Sequence, residues 1–434
     1  MLDVVLDTST CTSLPLKQMI VFSPEDNPQE EGVGVTEQQF GRDMFADFDI
    51  DDPRFNEHFT DVLDAFVAKC PVARSNVGAG YYVINRYEDV RRAGQDWQTF
   101  SSAKGFQPNR PDGVPYLYPE ESDPPYHDEW RRVLNPFFAP RAVAEFEDQI
   151  RADANELIDG FIDKGSCDFV ADFAAELPGR AFFKNLVHVP VEDLAMLLEA
   201  MDNAIYGPVE ERAESFAKAF GYLGEHLAKR RDNPGPGDLL DTIAAGVDKD
   251  GEICPWEDRV SIITDLTLGG IATTTYAMSG AIHHLATHPD DRRALAADPS
   301  LIPNAIEEFA RVFPPVVALG RSVTRDVEVA GTQFKEGDFV LLNYASASRD
   351  PDAVENPTVL DIRREGVVHT AFGVGVHRCI GSHLARLELR VVLEEVLRRI
   401  PEFEVAPGQG PQYETGVLRS MTTLPLVFSP GAAK

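Results

Sequence analysis

Residues 256–288, WEDRVSIITDLTLGGIATTTYAMSGAIHHLATH, read as one long helix that stops at Pro289. Its centre holds Gly269 and Gly270, then Thr273, Thr274 and Thr275. A glycine inside a helix costs about 1 kcal/mol against alanine, and a β-branched run is also unfavourable. A buried helix does not collect such residues without a reason. Either close packing or a local distortion is expected at this point.

The flanking segments are mostly helical. Residues 1–45 are acidic and irregular, with Pro24 and Pro28, and read as a weakly ordered lead-in. HFTDVLDAFVAK (58–69) has helical spacing of apolar positions, YYVINRY (81–87) reads as a strand, and EDVRRAGQD after it as a helix. Residues 103–125 are rich in Pro and Gly without a period. A loop of this length in a compact chain suits a lid or binding loop, in which Tyr116 and Tyr118 offer polar groups. From about 141 to 247 the pattern is helical with breaks at Pro190, Pro208 and NPGPGD (233–238). A helix follows over about 302–312, then short strands at VEVAG and FVLLNYA, then a long helix over about 381–399. There are no internal repeats and no obvious linker. The expected fold is mainly α with minor β (α+β), one large domain over 46–434.

Charge narrows the function classes. The 434-residue chain carries a net charge of −31, which argues against a nucleic-acid partner and against anionic membrane surfaces. No apolar run approaches the ~18 residues of a membrane span. The N-terminus, with Asp3 and Asp7, has no basic region of a signal peptide. The five cysteines are widely spaced, with no CxxC. Reduced thiols and a cytoplasmic location are the expectation.

One cysteine stands apart. Cys379 sits in FGVGVHRCIG (372–381), directly before the helical SHLARLELRVVLEEVLRR. Gly373, Gly375 and Gly381 permit a tight turn around the sulfur. The helix N-terminus, with His377 and Arg378, is expected to lower the thiol pKa. The loop resembles the haem-binding loop FxxGxxxCxG of the cytochrome P450 family, with Phe372, Gly375, Cys379 and Gly381 in its four fixed positions. The resemblance implies Cys379 as axial ligand of the iron of haem b, with Phe372 packed beside it, Gly373 and Gly381 shaping the turn, and His377 reaching a propionate.

Further segments resemble the same family in the same order. EFAR (308–311) is similar to its Glu-x-x-Arg helix, which implies a structural role for Glu308 and Arg311 on one helix face. DPPYHDEWR (123–131) is similar to DPPxHxxxR, which implies that His127 and Arg131 hold propionates, with Arg321 as a further candidate. LGGIATT (268–274) is similar to the oxygen-binding segment of the long central helix over the haem. It implies Gly270 as the point of close approach and Thr273 as the hydroxyl that relays protons. Two positions depart from the family. Ala272 stands where an acid is usual, and Val359 where Arg or His usually completes a triad with Glu308 and Arg311.

The resemblance implies a haem-thiolate monooxygenase, an oxidoreductase that inserts one atom of O2 into a C–H bond of a small apolar substrate. Terpenoid, aromatic, fatty and steroid-like molecules all suit the implied lining of Val316, Val317, Leu319, Val417, Leu418 and Ile271, with Ala272 beside it. The chain has no flavin or nicotinamide fingerprint and no ferredoxin-like cysteine cluster. Electrons are therefore expected from a ferredoxin and its reductase, docking on Arg132, Arg378, Arg386 and Arg390. A peroxide-driven peroxygenase and a non-catalytic haem-thiolate ligand-binding protein are the alternative readings.

Overall fold

The computed structural model describes residues 43–108, 110, 113–207, 209–246 and 254–433. Residues 1–42 of the expected lead-in lie outside that range. Its last residues pack into the protein: Met44 is buried and Phe45 accepts a backbone hydrogen bond from Arg74 at 2.8 Å.

Seven helices position the site: α1 (Tyr126–Leu134), α2 (Glu176–Phe182), α3 (Leu194–Tyr206), α4 (Val209–Asp232), α5 (Trp256–Thr287), α6 (Ile302–Val312) and α7 (Ser382–Arg399). Helix α5 is the expected long helix, 32 residues without a break. Buried side chains occupy most of its circumference, as in a helix that runs through a core. Its hydroxyls would be costly there if left unpaired. Four of them bond a carbonyl one turn back: Thr264 to Val260 O (2.8 Å), Thr267 to Ile263 O (2.6 Å), Thr275 to Ile271 O (3.1 Å) and Ser279 to Thr275 O (2.8 Å). Close packing, not a break, explains the glycines. A Cβ on Gly270 would lie 3.2 Å from the Phe182 ring of α2, and one on Gly280 would lie 2.8 Å from Phe313.

The largest core is built around α5 and takes in α2, α6 and α7. A five-stranded sheet lies to one side: β1 (Val72–Ser75), β2 (Tyr81–Ile84), β3 (Phe100–Ser101), β4 (Ala318–Val323) and β5 (Phe339–Asn343). Its order is β1-β2-β5-β4-β3, antiparallel except for the parallel β2–β5 pair. Two smaller apolar clusters pack against it. The sheet carries Arg321 on β4, just after the 316–319 segment. Residues 316 and 418 form an isolated antiparallel bridge, and Val317 N donates to Val417 O at 2.9 Å.

No helix among the described residues is long and apolar enough to cross a membrane. Cys167, Cys254 and Cys379 are free thiols, whereas Cys70 is disulfide-bonded, which corrects the expectation of reduced thiols throughout.

Candidate active site

The cysteine loop folds as its glycines dictate. Gly373 and Gly375 have φ of 67° and 72°, in the left-handed region where glycine carries no steric penalty. Gly375 is doubly constrained, since a Cβ there would lie 2.1 Å from the Gly94 carbonyl oxygen. The loop closes on itself through Cys379 N–H, which donates to Phe372 O at 2.8 Å. Gly381 caps α7, its backbone N–H bonds the Cys379 sulfur, and its Cβ position is 3.9 Å from that sulfur. The Phe372 ring lies under the Arg386 guanidinium, 4.2 Å away. Cys379 keeps open surface although it lies deep in the protein.

That depth corrects one expectation. In the protein chain alone, burial pushes the Cys379 thiol up from its usual range, and this outweighs the Gly381 N–H and the Arg131 charge, which both act to lower it.

Four basic side chains converge beside the sulfur. The rings of His127, from α1, and His377 are 4.4 Å apart. Arg131, one turn further along α1, donates from Nη2 to Arg378 O at 2.9 Å and so ties the helix to the loop. Arg321 is buried and donates from Nη1 to its neighbour's carbonyl, Gly320 O, at 2.7 Å. Among the described residues neither Arg131 nor Arg321 has a carboxylate at ion-pair distance, and His127 meets only Asp128, at 2.9 Å. The mutual repulsion is visible in His377. Burial, then the charges of Arg321, His127 and Arg131, hold its pKa down at about 2, so the ring is neutral and pairs with Ser102 Oγ at 3.1 Å. Burial likewise pushes Arg131 down. Two arginines with no ion-pair partner among the described residues, beside two histidines, fit a dianionic ligand. The two propionates of a haem supply that charge, with the Cys379 sulfur in reach as a soft iron ligand.

Behind this loop, Glu308 and Arg311 of α6 form a fully buried ion pair at 2.7 Å. Arg311 also donates to the carbonyls of Ser348, Pro357 and Val359. The side chain missing at Val359 is supplied by Arg364, whose Nε donates to Glu308 Oε1 at 3.1 Å. Val359 contributes its backbone oxygen instead. The triad is therefore complete, with its third member five residues later than the sequence pattern suggested.

On α5, the glycine expected to open the helix to the cofactor is displaced by one position. Gly270 packs on Phe182, while Gly269 is exposed with nothing near its Cβ position. The Thr273 hydroxyl donates to Gly269 O at 2.6 Å. Ala272 and Thr273 are half-buried. Ile271 points the other way, into the main core, which removes it from the expected lining. Val417 and Leu418 line a cleft together with Phe106, Leu117, Phe216 and Leu268. Val317 is buried in the core that lies under them, and Val316 and Leu319 pack against the neighbouring one.

The expected lid is tied to α5. Ser261 Oγ accepts from Tyr118 N (2.8 Å) and donates to Tyr116 O (2.5 Å). The Tyr116 ring stacks on Arg110, and the Tyr118 ring packs edge-on against Tyr126. Residues 109, 111 and 112 of this segment lie outside the described residues.

Sequence reasoning missed the acidic groups. Glu120, from the lid, hydrogen-bonds Asp265 of α5. Burial pushes both carboxyls up, reinforced at Glu120 by the charge of Glu121 and at Asp265 by the charges of Glu120 and Glu121. Glu388 of α7 is buried with neither carboxyl oxygen hydrogen-bonded, and burial pushes it up to about 8. Neither feature follows a local pattern; both depend on what packs around the side chain. Two members of the expected basic patch are occupied. Arg386 pairs with Glu307 (2.5 Å) and Arg390 with Glu147 (2.6 Å), while Arg378 and Arg132 are exposed and in no ion pair among the described residues.

A deep thiol at a helix N-terminus, two arginines without an ion-pair partner among the described residues and a long central helix are the features of a haem-thiolate protein. A family model described as Cytochrome P450 matches residues 180–425. The steroid C26-monooxygenase of Mycolicibacterium smegmatis is 32% identical over 371 residues, 83% of this chain and 90% of that one. The vitamin D(3) 25-hydroxylase of Pseudonocardia autotrophica is 31% identical over 385 residues, 85% of this chain and 93% of that one. The solved structure of cytochrome P450 CYP101C1 superposes with a TM-score of 0.80 at 31% identity, covering 88% of this chain and 97% of that chain. The chain belongs to the cytochrome P450 family. It is a haem monooxygenase with the single P450 fold, acting with O2 on a small substrate.

Proposed function

We propose that the protein hydroxylates, or otherwise oxidises at a C–H bond, a small apolar molecule of terpenoid, aromatic, fatty or steroid-like character. It uses haem b and electrons from a ferredoxin with its reductase. The observation that carries this reading is the joint placement of the Cys379 sulfur, two histidines and two arginines, Arg131 and Arg321, that have no carboxylate at ion-pair distance among the described residues. Two relatives whose names report a steroid and vitamin D(3) as substrates support an apolar, ring-containing molecule.

In this reading Cys379 ligates the iron, and the Gly381 N–H holds the sulfur in place. His127, Arg131, Arg321 and the neutral His377 hold the propionates. Haem bound there supplies reductive activation of dioxygen, favoured by the electron-donating thiolate. The chain contributes position and protons. Thr273 Oγ lies at the open face of α5 left by Gly269 and can exchange its bond to Gly269 O for one to a water. Ala272 carries no proton, so delivery falls to Thr273 and ordered water. Val417, Leu418 and Leu268 exclude water and orient the apolar body. Glu308, Arg311 and Arg364 fix the scaffold behind the loop. The donor docks on the face that presents Arg378 and Arg132. Residues 1–45 form an irregular lead-in to this domain, and the protein works in the cytoplasm.

The decisive measurement is the carbon-monoxide difference spectrum of the reduced holoprotein. A Soret band at the long-wavelength position of thiolate ligation is expected, and it should be lost in Cys379→Ser. Haem retained with an unchanged band in Cys379→Ser overturns the assignment. The absent acid at Ala272 favours one second reading, peroxide as oxygen source. Peroxide-supported turnover faster than ferredoxin-supported turnover would establish it.

A further inference from the structure

The cleft bordered by Leu268 of α5 is apolar except for Gln107, Arg110, Arg212 and Thr264. It is lined by Phe106, Val114 and Leu117 of the lid, by Met201 and Ala204 of α3, by Phe216 and Ala219 of α4, by Leu268 of α5, and by Val417 and Leu418. Thr264, Leu268 and Ala272 are successive i, i+4 positions on α5. The cleft therefore runs along the helix face that reaches the reactive end, with Leu268 about 6 Å along the axis from Ala272.

Two arginines border this cleft, and they differ. Arg110 is spent: it pairs with Glu121 at 2.5 Å, donates to the carbonyls of Val114 and Pro115, and stacks on Tyr116. Among the described residues Arg212 makes one hydrogen bond, from Nε to Gly207 O at 2.8 Å. Among the described residues no carboxylate lies at ion-pair distance from it. Asp51 feels its charge through space, but burial and the neighbouring Asp49 dominate there. The helix surface explains why this is a placed charge. Glu211 and Glu214 of α4 are exposed, whereas Arg212, Phe216 and Ala219 fall on the stripe that faces the cleft. A half-buried guanidinium on an apolar stripe, in a protein of net charge −31, keeps its Nη1 and Nη2 donors for something that enters the cleft. Gln107, on the opposite wall, brings a side-chain amide with no intramolecular partner among the described residues.

We propose that Arg212, assisted by Gln107, binds an anionic group of the substrate, so that the protein selects apolar carboxylic acids over their neutral analogues. The carboxylate is held at the α4 side of the cleft, and the apolar body extends along Leu268 towards Thr273. This inference rests on the monooxygenase reading for the position of the reactive end, but the anion site itself does not.

The test is binding of matched pairs to the holoprotein: benzoic, adamantane-1-carboxylic and dodecanoic acids against their methyl esters. Binding is followed by spin-state difference spectra and, independently, by calorimetry. At least one acid should bind more tightly than its ester, with an advantage that falls as salt rises. In Arg212→Gln that acid should lose roughly 10- to 100-fold in affinity while the ester stays within about twofold, and Arg212→Lys should recover part of the loss. Acids that bind no better than their esters across the series overturn the proposal without any variant. So does Arg212→Gln binding the acids as well as the wild type does. A holoprotein lacking the thiolate band would sink the haem reading instead, and the calorimetric comparison would still decide the anion site.

Discussion

Two buried charge clusters lie on either side of the cysteine loop, and they are built in opposite ways. Around Glu308 every charge is answered: Arg311, Arg364 and a backbone N–H converge on one carboxylate, and three carbonyls take up the remaining Arg311 donors. Beside Cys379, Arg131 and Arg321 face two histidines with no carboxylate on either arginine. The first cluster is complete within the chain and belongs to the scaffold. The second has no such partners among the described residues, which fits a dianionic ligand. A buried charge left unanswered is costly, so its persistence marks a binding site, and the same logic singles out Arg212 in the cleft.

Breaking the closed cluster should have the largest effect. Arg311→Ala leaves Glu308 buried without its main partner and should cost about 3–5 kcal/mol. It is expected to yield protein that unfolds at markedly lower temperature and takes up little haem, read by calorimetry and by the ratio of Soret to protein absorbance. A stable variant with full haem would mean that Arg364 alone suffices.

Glu388 is a third kind of site, a buried carboxyl with no partner, and it sharpens the comparison through pH. Its folded pKa is raised to about 8 from the ordinary 4.5. The folded protein therefore keeps a proton that the unfolded chain releases, and stability falls as pH rises from about 4.5 to about 8. Glu388→Gln should remove this slope. The variant is expected to match the wild type near pH 5 and to exceed it by on the order of a few kcal/mol above pH 8. Parallel melting curves of the two proteins across that range would show Glu388 to be paired or solvated.

The open cluster should respond with opposite signs in its two states. Arg321→Ala is expected to weaken haem retention by roughly tenfold, because one charge-assisted contact is lost. The same change should leave the haem-free protein as stable as before or more so, since it relieves repulsion on His377. Haem transfer to apomyoglobin measures the first effect and thermal melting of apoprotein the second. A loss in both would place Arg321 in the scaffold.

The smallest effects belong to the surface. Reversing Arg378 to Glu should slow reduction by a ferredoxin several-fold and flatten its salt dependence, by removing steering charge. Arg386→Glu should act through its lost bond to Glu307, by lowering the melting temperature. Equal kinetic effects from both would redraw the docking face.

Much of this site is legible in the chain itself. The cysteine loop can be read from sequence because its conformation is local. Glycines at φ of 67° and 72° and a helix beginning at Ser382 are consequences of neighbours a few residues away. The Glu308–Arg311 pair is legible for the same reason, three residues apart on one helix face. The α5 helix shows in its length and in the proline that ends it. Where the reading failed, the deciding contact was remote. Gly270 serves Phe182 of another helix, so the open position is Gly269, one residue earlier, and no spacing rule distinguishes adjacent glycines. The triad takes Arg364 instead of residue 359 because the loop between them curls back through carbonyl contacts. The Cys379 thiol is pushed up rather than down because depth, a property of the whole fold, outweighs a helix end. Ile271 left the lining because α5 is buried on nearly all sides.

Sequence alone thus determined the kind of chemistry: which atom can hold iron, which helix lies over it and which residues can answer a dianion. Those follow from short-range geometry and from the restricted set of side chains able to do each task. Tertiary structure decided which charges are answered and which are left for a ligand. That balance depends on neighbours brought from distant parts of the chain into a low-dielectric interior, where a single missing partner changes a group's role.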